Sequence, residues 1–379
     1  MMTEVKGTAR ALFEHYPGLA QTLAHTPLAD LPAPVARWEG FARDLDVDAV
    51  WVKCDDVTGA IYGGNKVRKL EFLLGRAVAA GAGAVITFGA AGSNHALATA
   101  IYARALGLDA CSMLVPQHNA HTVRRNLLRG YAAGALLRHH ANKALVAVDV
   151  ARQIRQYWKK HGHLPHLIPP GGTSPIGIVG YVNAALELAD QIAAGELPQP
   201  DRIYVASGTM GTCVGLCLGF QLAGLAIPVH AIRVTRPSFS NDERARRLHT
   251  ATVKHLRAHD ASVPEAAFPD AGFVHRHEFY GEDYALYTEA SVAAVRRVRE
   301  TEGVRLEGTY TGKALAALMA DAAQGALHGQ KVLFWNTYNS REVEDGGLMY
   351  TALPEAVHRY FEEAVQALDV PMAQLLAPR

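Results

Sequence analysis

The chain has 379 residues, of which 49% are hydrophobic and 19% charged, and its formal net charge at pH 7 is +1. This length accommodates two domains, and the composition is typical of a soluble protein with a large apolar core. The balanced charge excludes a general attraction to nucleic acid or anionic membranes, and no run of about 18 apolar residues is present to span a bilayer.

Residues 1–15 alternate charged and apolar side chains and contain no signal-peptide core, so we expect a cytoplasmic protein. The four cysteines form no CxxC pair and are typical of small buried residues in a reducing compartment. Histidines at 139–140, 161, 163 and 166 have spacings that metal ligands adopt. Because no cysteine or carboxylate accompanies them at ligand spacing, we interpret them as residues of solvated loops and expect no metal.

The predicted elements begin with a proline-rich stretch up to about residue 50, which we expect to lie as an extended arm over the core. A strand at 50–53 and a helix at 66–79 follow. Strands are then predicted at 84–88, 110–115 and 136–138, and helices at 94–106, 122–133 and 143–160. Residues 166–173 break this alternation and are interpreted as a crossing between domains.

A second alternating series occupies the rest of the chain. Its predicted strands are 202–206, 229–234, 274–278 and 332–335, and its helices are 176–194, 211–222, 242–255, 287–300 and 313–325. The tail after Pro354 is predicted to be an amphipathic helix with Val357, Tyr360 and Phe361 on one face, suited to core packing or to a dimer contact.

This alternation predicts an α/β fold with two open, twisted parallel sheets covered by helices on both faces. We assign residues 71–182 to a small domain and residues 1–70 with 183–379 to a large one. Ligands of open α/β sheets bind beyond the carboxyl ends of the strands, so the site is expected in the cleft between the domains.

The octapeptide GGNKVRKL at residues 63–70 is the first candidate for chemistry. Asn65 is a favourable N-cap, so a helix is predicted to start at Lys66, with Lys66 and Lys69 on one face of its first turn. The helix N-terminus and a neighbouring ammonium group both favour loss of a proton from lysine. A neutral amine can form a Schiff base with a carbonyl. The alternative is an ordinary basic first turn on a solvated helix.

Two small-residue turns follow predicted strands: FGAAGSNH at 88–95 and SGTMGT at 207–212. A strand, a turn and a helix in this order aim backbone N–H groups and a helix N-terminus at an anion. A carbonyl-trapping lysine together with an anion cradle indicates pyridoxal phosphate (PLP). The glycine spacing of the second turn does not fit a dinucleotide motif, and residues 308–314 do not fit a Walker loop.

The sequences GGNKVRKLEFL, GSNH and SGTMGT together resemble the family of PLP enzymes that contains D-cysteine desulfhydrase and 1-aminocyclopropane-1-carboxylate (ACC) deaminase. The likeness extends from Thr26 to about Thr337. It implies fold type II, with the cofactor in the cleft between two domains. It also implies that Lys66 forms the Schiff base. The residues implied to hold the phosphate are Lys69, Gly208, Thr209, Met210, Gly211 and Thr212.

The resemblance assigns further roles near the substrate. Asn94 is implied to bond the phenolic oxygen of the cofactor, and Ser93, Asn94 and His95 to bind the substrate, with Ser93 as a further proton relay. Helix capping by Ser93 and Asn94 is the alternative, and the two roles are compatible. Tyr310 and Tyr284 match two active-site tyrosines of the family, with buried structural tyrosines as the alternative. The loop around Tyr284 departs from the family pattern, which leaves its shape open.

Thr311 and Thr337 stand where ACC deaminases carry Glu and Leu and where desulfhydrase-like members carry Thr. A hydroxyl group leaves the pyridine nitrogen of PLP neutral and weakens the electron sink, which suits elimination of a good leaving group better than opening of a cyclopropane. His95, where deaminases have Gln, points the same way. Tyr338 and Asn339 replace two family glycines, and we expect them to add bulk near the cofactor.

We therefore expect a cytoplasmic, homodimeric, PLP-dependent lyase or deaminase that acts on a small amino acid, with D-cysteine as the first candidate and pyruvate, sulfide and ammonia as products. No nucleic-acid or membrane partner is expected. The alternatives are an ACC deaminase, another β-elimination or β-replacement enzyme, and a non-catalytic protein that binds PLP or an amino acid. The complete set Lys66, Ser93 and Tyr310 favours an enzyme.

Overall fold

The structure is a computed structural model that describes residues 10–376. Residues 1–9, which form most of the N-terminal segment interpreted above, lie outside the described residues. Ten named strands form two sheets, one of six strands in the order β1-β2-β10-β7-β8-β9 and one of four in the order β5-β4-β3-β6. The strands are β1 (Val35–Arg37), β2 (Ala49–Lys53), β3 (Ala84–Ala90), β4 (Asp109–Val115), β5 (Leu136–His139), β6 (His166–Ile168), β7 (Arg202–Ser207), β8 (Val229–Arg233), β9 (Phe273–Arg276) and β10 (Lys331–Trp335).

Helices cover both sheets. They are α1 (Ala11–His15), α2 (Pro17–Thr22), α3 (Glu39–Asp44), α4 (Asn65–Ala79), α5 (Asn94–Ala105), α6 (His121–Ala132), α7 (Lys143–His161), α8 (Pro175–Ala193), α9 (Gly211–Leu222), α10 (Asp242–His259), α11 (Glu289–Glu302), α12 (Thr311–Ala323), α13 (Arg359–Glu362) and α14 (Asp369–Leu376). None of the helices from α1 to α14 is long and apolar enough to cross a membrane.

The strands pair in parallel, except that β1 runs antiparallel to β2 at the edge of the larger sheet. Central strands are continuous apolar runs because helices cover both of their faces; Ile203, Tyr204 and Val205 of β7, for example, are fully buried. This confirms the predicted α/β class with two open parallel sheets.

Several local predictions were wrong. The N-terminal stretch is not only an extended arm, because α1, α2 and α3 lie in it and bury Leu12 and Leu19. The crossing at 166–173 contains β6, which pairs with β3. The tail is not one helix: a 3-10 turn and the short α13 precede α14, and Val357 and Tyr360 pack into the core. Of the histidines assigned to solvated loops, 139, 161 and 166 lie instead in β5, α7 and β6, whereas His163 is exposed in a loop as predicted.

The division into domains remains a prediction. All four strands of the smaller sheet lie within residues 71–182. Both predicted boundaries nevertheless fall inside helices, because α4 runs from Asn65 to Ala79 and α8 from Pro175 to Ala193. The two helices pack against each other, so the sheets are joined through a helix pair and not through flexible linkers.

A buried ion cluster fastens this helix pair to the larger sheet. Arg68 of α4 donates to both carboxylate oxygens of Glu187 of α8, at 3.0 and 2.9 Å, and to Asp55 at 2.9 Å. Lys53 of β2 pairs with Glu187 at 2.7 Å. Asp55 accepts a further hydrogen bond at 2.7 Å from the indole of Trp335 on β10. The cluster therefore sets the position of α4 relative to β2, β10 and α8.

We predict that Glu187→Gln lowers the free energy of unfolding by about 3–5 kcal/mol, because the change leaves Arg68 and Lys53 as buried charges without full compensation. Burial alone would raise the pKa of Glu187, but Arg68 and Lys53 outweigh it and hold that pKa at about 2. The pKa of an unfolded glutamate is about 4.3, so the contribution is present above that pH and is lost as pH falls towards 2.

Urea unfolding at neutral and acidic pH measures this effect. The exposed Glu344 provides the control Glu344→Gln, which we expect to leave stability unchanged. Equal stability of Glu187→Gln and wild type at pH 7 would contradict the assigned role of the cluster.

Candidate active site

A cavity of about 770 Å³ lies between the two sheets, where the turns after β3, β4, β7 and β8 converge. It brings together most of the residues predicted from sequence. Those that line it are Lys66, Lys69, Ser93, Asn94, His95, Gly208, Thr209, Met210, Gly211, Thr212, Tyr284, Tyr310, Thr337 and Tyr338. Thr311 is the exception, since it is 1% exposed and does not line the cavity.

Lys66 lies in the first turn of α4, with its amine at the cavity. Asn65 does not cap the helix as predicted; it is the first helical residue, and Gly64 precedes it with φ of 86°. The Asn65 side chain instead accepts a hydrogen bond from Lys66 Nζ at 2.8 Å and donates one to Thr212 Oγ1 at 3.2 Å. Burial lowers the pKa of Lys66 to about 8, against the opposing effect of Glu307. A substantial fraction of the amine is therefore neutral near physiological pH.

The turn after β7 forms a cradle at the start of α9. Met210 adopts the left-handed conformation, with φ of 72°, and the helix begins at Gly211. A Cβ at Gly211 would lie 2.9 Å from Lys69 Nζ and 2.7 Å from Thr173 Oγ1, so a side chain does not fit there. Thr173 and Thr209 share a hydrogen bond of 2.6 Å between their hydroxyl groups.

Lys69 is a buried lysine that pairs with no acidic side chain of the described residues. Its amine donates to Gly171 O at 3.3 Å, and no carboxylate of the described chain pairs with it. Burial, followed by the charge of Lys66, lowers its pKa well below the ordinary value. A phosphate beside Lys69 and the free N–H groups of the first turn of α9 would relieve both effects.

The turn after β3 presents Ser93, Asn94 and His95 at the start of α5. Ser93 caps the helix, as predicted, by accepting a hydrogen bond from Ala96 N at 3.2 Å. Asn94 Oδ1 accepts from Asn126 at 2.8 Å, which leaves the Asn94 amide hydrogens as donors. His95 is 2% exposed, and neither of its ring nitrogens has a hydrogen-bond partner in the described part of the chain.

Tyr310 and Tyr284 form a pair in the cavity wall. Their hydroxyl groups share a hydrogen bond of 2.6 Å, and burial raises the pKa of both. Asp283 stabilises the loop around Tyr284. Asp283 accepts from the Tyr284 N–H at 2.8 Å, and Arg236 binds the same carboxylate at 3.0 and 3.1 Å.

Glu307 was missed by the sequence reasoning. Its carboxylate lines the cavity and accepts hydrogen bonds of 2.8 Å from the N–H groups of Thr309, Tyr310 and Thr311. The Thr311 hydroxyl donates to the same carboxylate at 3.1 Å, which explains why it does not face the cavity. An acidic residue just before a helix is a capping signal, and that signal was present in the sequence.

The segment after β10 supports the lysine loop. Asn339 accepts a hydrogen bond from Gly63 N at 2.6 Å, and Arg341 donates to Val57 O at 3.0 Å and Gly59 O at 3.1 Å. Asn339 therefore holds the loop before Lys66 and adds no bulk to the cavity, contrary to the prediction. Tyr338 does line the cavity.

The residues present fit PLP. Lys66 provides an amine of lowered pKa for the aldehyde, and Lys69 with the start of α9 provides a cationic cradle for the phosphate. The unpartnered nitrogens of His95 and the amide of Asn94 provide polar contacts between them.

Residues 27–337 match the family described as pyridoxal-phosphate dependent enzymes. The chain belongs to this family. Three relatives are similar to this family member over most of their length. A Pyrococcus abyssi protein, provisionally named 1-aminocyclopropane-1-carboxylate deaminase, is 35% identical over 86% of this chain and 93% of its own length. Nocardicin C-9' epimerase of Nocardia uniformis is 32% identical over 90% of this chain and 99% of its own. D-cysteine desulfhydrase of Serratia proteamaculans is 31% identical over 81% of this chain and 91% of its own length.

A solved structure supports the same assignment. The crystal structure of an ACC deaminase homologue has a TM-score of 0.71 and 30% identity, and the match covers 91% of this PLP-dependent enzyme and 98% of that chain. The predicted family, fold type and cofactor are thereby confirmed.

We predict that Lys66→Ala abolishes the covalent, borohydride-reducible link between PLP and the protein, whereas Lys69→Ala retains the link but binds PLP more weakly. In wild-type apoprotein, the rate of covalent PLP incorporation should rise as pH passes through about 8, since the neutral amine is the attacking form. Peptide mapping after reduction identifies the modified lysine. A reduced adduct on Lys69 in the Lys66→Ala variant would reverse the assignment.

We predict that Gly211→Asp prevents tight PLP binding while the fold persists. The new Cβ would meet Lys69 and Thr173, and the carboxylate would repel a phosphate and neutralise Lys69. PLP titration followed by absorbance measures the affinity, and circular dichroism measures the fold. Unchanged affinity would show that the turn after β7 is not the phosphate cradle.

Proposed function

We propose that the protein is a lyase that removes a β-substituent from a small amino acid, with D-cysteine as the first candidate. The overall change consumes D-cysteine and water and yields pyruvate, hydrogen sulfide and ammonia. The observation that carries the proposal is one cavity in which Lys66, of lowered pKa, lies together with Ser93 and the Tyr284–Tyr310 pair. The relatives named D-cysteine desulfhydrase and ACC deaminase support this class of reaction.

Each group has a proposed part in the reaction. Bound PLP supplies an electron sink for the electron pair released at the substrate Cα. Lys66 would hold the cofactor and would take the proton from Cα of the bound substrate. The Tyr284–Tyr310 pair delivers a proton to the leaving sulfur. Ser93 and the start of α5 bind the substrate carboxylate, and His95 lies beside them.

Thr337 supports elimination over ring opening. Its hydroxyl is the group we place near the pyridine nitrogen, and a hydroxyl cannot stabilise a protonated ring as a carboxylate does. Glu307 also lines the cavity, where three backbone N–H groups hold its carboxylate in place. Thr311 drops out of this argument, because its hydroxyl donates to Glu307 and Thr311 does not line the cavity.

We also propose a cytoplasmic homodimer. All four cysteines are free, which suits a reducing compartment. Exposed apolar side chains on α7, among them Val148 and Trp158, are 69% and 53% exposed and suit a contact between subunits. Light scattering of the purified protein measures the oligomeric state.

We predict that the holoenzyme releases pyruvate from D-cysteine or β-chloro-D-alanine, with ACC turnover slower by at least about two orders of magnitude, a barrier difference of about 3 kcal/mol. The panel includes D- and L-cysteine, D-serine and ACC, with pyruvate release as the measurement. Inversion at Cα is followed in parallel, because one relative is named an epimerase.

Comparable rates on ACC and D-cysteine would contradict the argument from Thr337. Inversion without pyruvate release would favour the epimerase type of reaction. Absence of both, with PLP bound, would favour the non-catalytic alternative.

A further inference from the structure

Gln117 is a cavity-lining residue that the sequence reasoning did not single out. It follows β4, in the loop that leads to α6, and its side chain lies against the turn before α5. The Gly92 N–H donates to Gln117 Oε1 at 2.8 Å. A Cβ at Gly92 would lie 3.1 Å from Gln117 Nε2 and 2.9 Å from Val123, so the carboxamide fills the space that a side chain at 92 would need.

This contact orients the Gln117 amide. An N–H group can be bonded only by the amide oxygen, so the oxygen faces Gly92 and the NH₂ group is left as a double donor. No group in the described part of the chain accepts a hydrogen bond from Nε2. The side chain is partly buried and lines the cavity, so the missing acceptor is expected in the cavity.

The surroundings of Nε2 favour an anion. The N–H groups of Asn94 and His95, in the first turn of α5, have no partner among the described residues, and a helix N-terminus carries a partial positive charge. His95 adds a buried imidazole at the same turn. Lys69 and the start of α9 are the predicted phosphate site, so an anion bound at the start of α5 would be a different group.

We infer that Gln117 is a substrate-binding residue whose Nε2 donates a hydrogen bond to the α-carboxylate of the amino acid, beside Ser93. The inference rests on the proposed function insofar as the ligand is an amino acid. It adds that the carboxylate is held by the loop after β4 together with the start of α5.

The C-terminal segment positions this glutamine. The Gln117 N–H donates to the Tyr360 hydroxyl at 3.3 Å, and Asn119 donates to Tyr360 O at 2.9 Å. Gln366 N donates to Asn119 O at 3.0 Å. These hydrogen bonds fasten the loop to the tail, which limits the freedom of the Gln117 backbone.

The variant Gln117→Glu tests the inference. A glutamate can still accept the hydrogen bond from Gly92, so the structural contact persists, but it presents a negative oxygen where the amide presented a donor. Binding of D- or L-alanine to the holoenzyme is measured by the change in PLP absorbance. We expect the dissociation constant to rise by about tenfold to hundredfold, the effect of losing a hydrogen bond to a charged group.

Alaninol, which has the same amine but no carboxylate, is the matched ligand, and its affinity for Gln117→Glu should match that for wild type. PLP affinity should also be unchanged. The exposed Gln324 provides the charge control Gln324→Glu, which should bind alanine as wild type does. Equal alanine affinity of Gln117→Glu and wild type, or an equal loss for alaninol, would overturn the inference.

Alanine has no leaving group, so this measurement does not depend on elimination. A holoenzyme that binds alanine and eliminates nothing would refute the proposed function, and the comparison between wild type and Gln117→Glu would still decide the role of Gln117.

Discussion

The structure depends on one buried guanidinium group. Arg68 lies two residues after Lys66 on α4 and is fully buried, held by Glu187 and Asp55. A buried charge of this kind is tolerated only in nearly one geometry, because any displacement separates charges in a medium of low dielectric constant. The helix that carries Lys66 and Lys69 is consequently fixed to β2, β10 and α8, and a fixed helix gives the lysines a defined approach to a cofactor.

The burial that requires acidic partners for Arg68 also changes the pKa of Lys66. Lys66 has no carboxylate partner in the described chain, so burial lowers its pKa, and the nearby Glu307 limits the decrease. Arg68, two positions away, has its partners and stays charged. The pKa of one basic residue in this helical turn is thus lowered and that of the other is raised. The difference arises from the acidic side chains that the fold places beside each of them.

The sequence was informative where a pattern was local. The alternation of apolar runs predicted nearly every central strand, and most residues predicted to hold the cofactor line one cavity. The failures have a common physical cause in tertiary contacts. Helices α1 to α3 are too short to show a period and are held by packing against distant residues, and β6 is a strand only because β3 lies beside it. Asn65 and Asn339 bond Thr212 and Gly63, which are remote from them in sequence. Glu307 is the exception, because its hydrogen bonds to the start of α12 are local and its capping signal was present in the sequence.

Residues 360–366 of the tail affect how well this segment tolerates substitution. Its residues reach both walls of the cavity: Tyr360 and Asn119 join it to the loop of Gln117, while Gln366 bonds Tyr287 N at 2.7 Å and Ala285 O at 3.0 Å, beside Tyr284. Chain ends are usually permissive to substitution and truncation. Here residues 360–366 connect two loops that line one cavity. A substitution in this segment is therefore expected to change the distance between cavity residues that it does not contact.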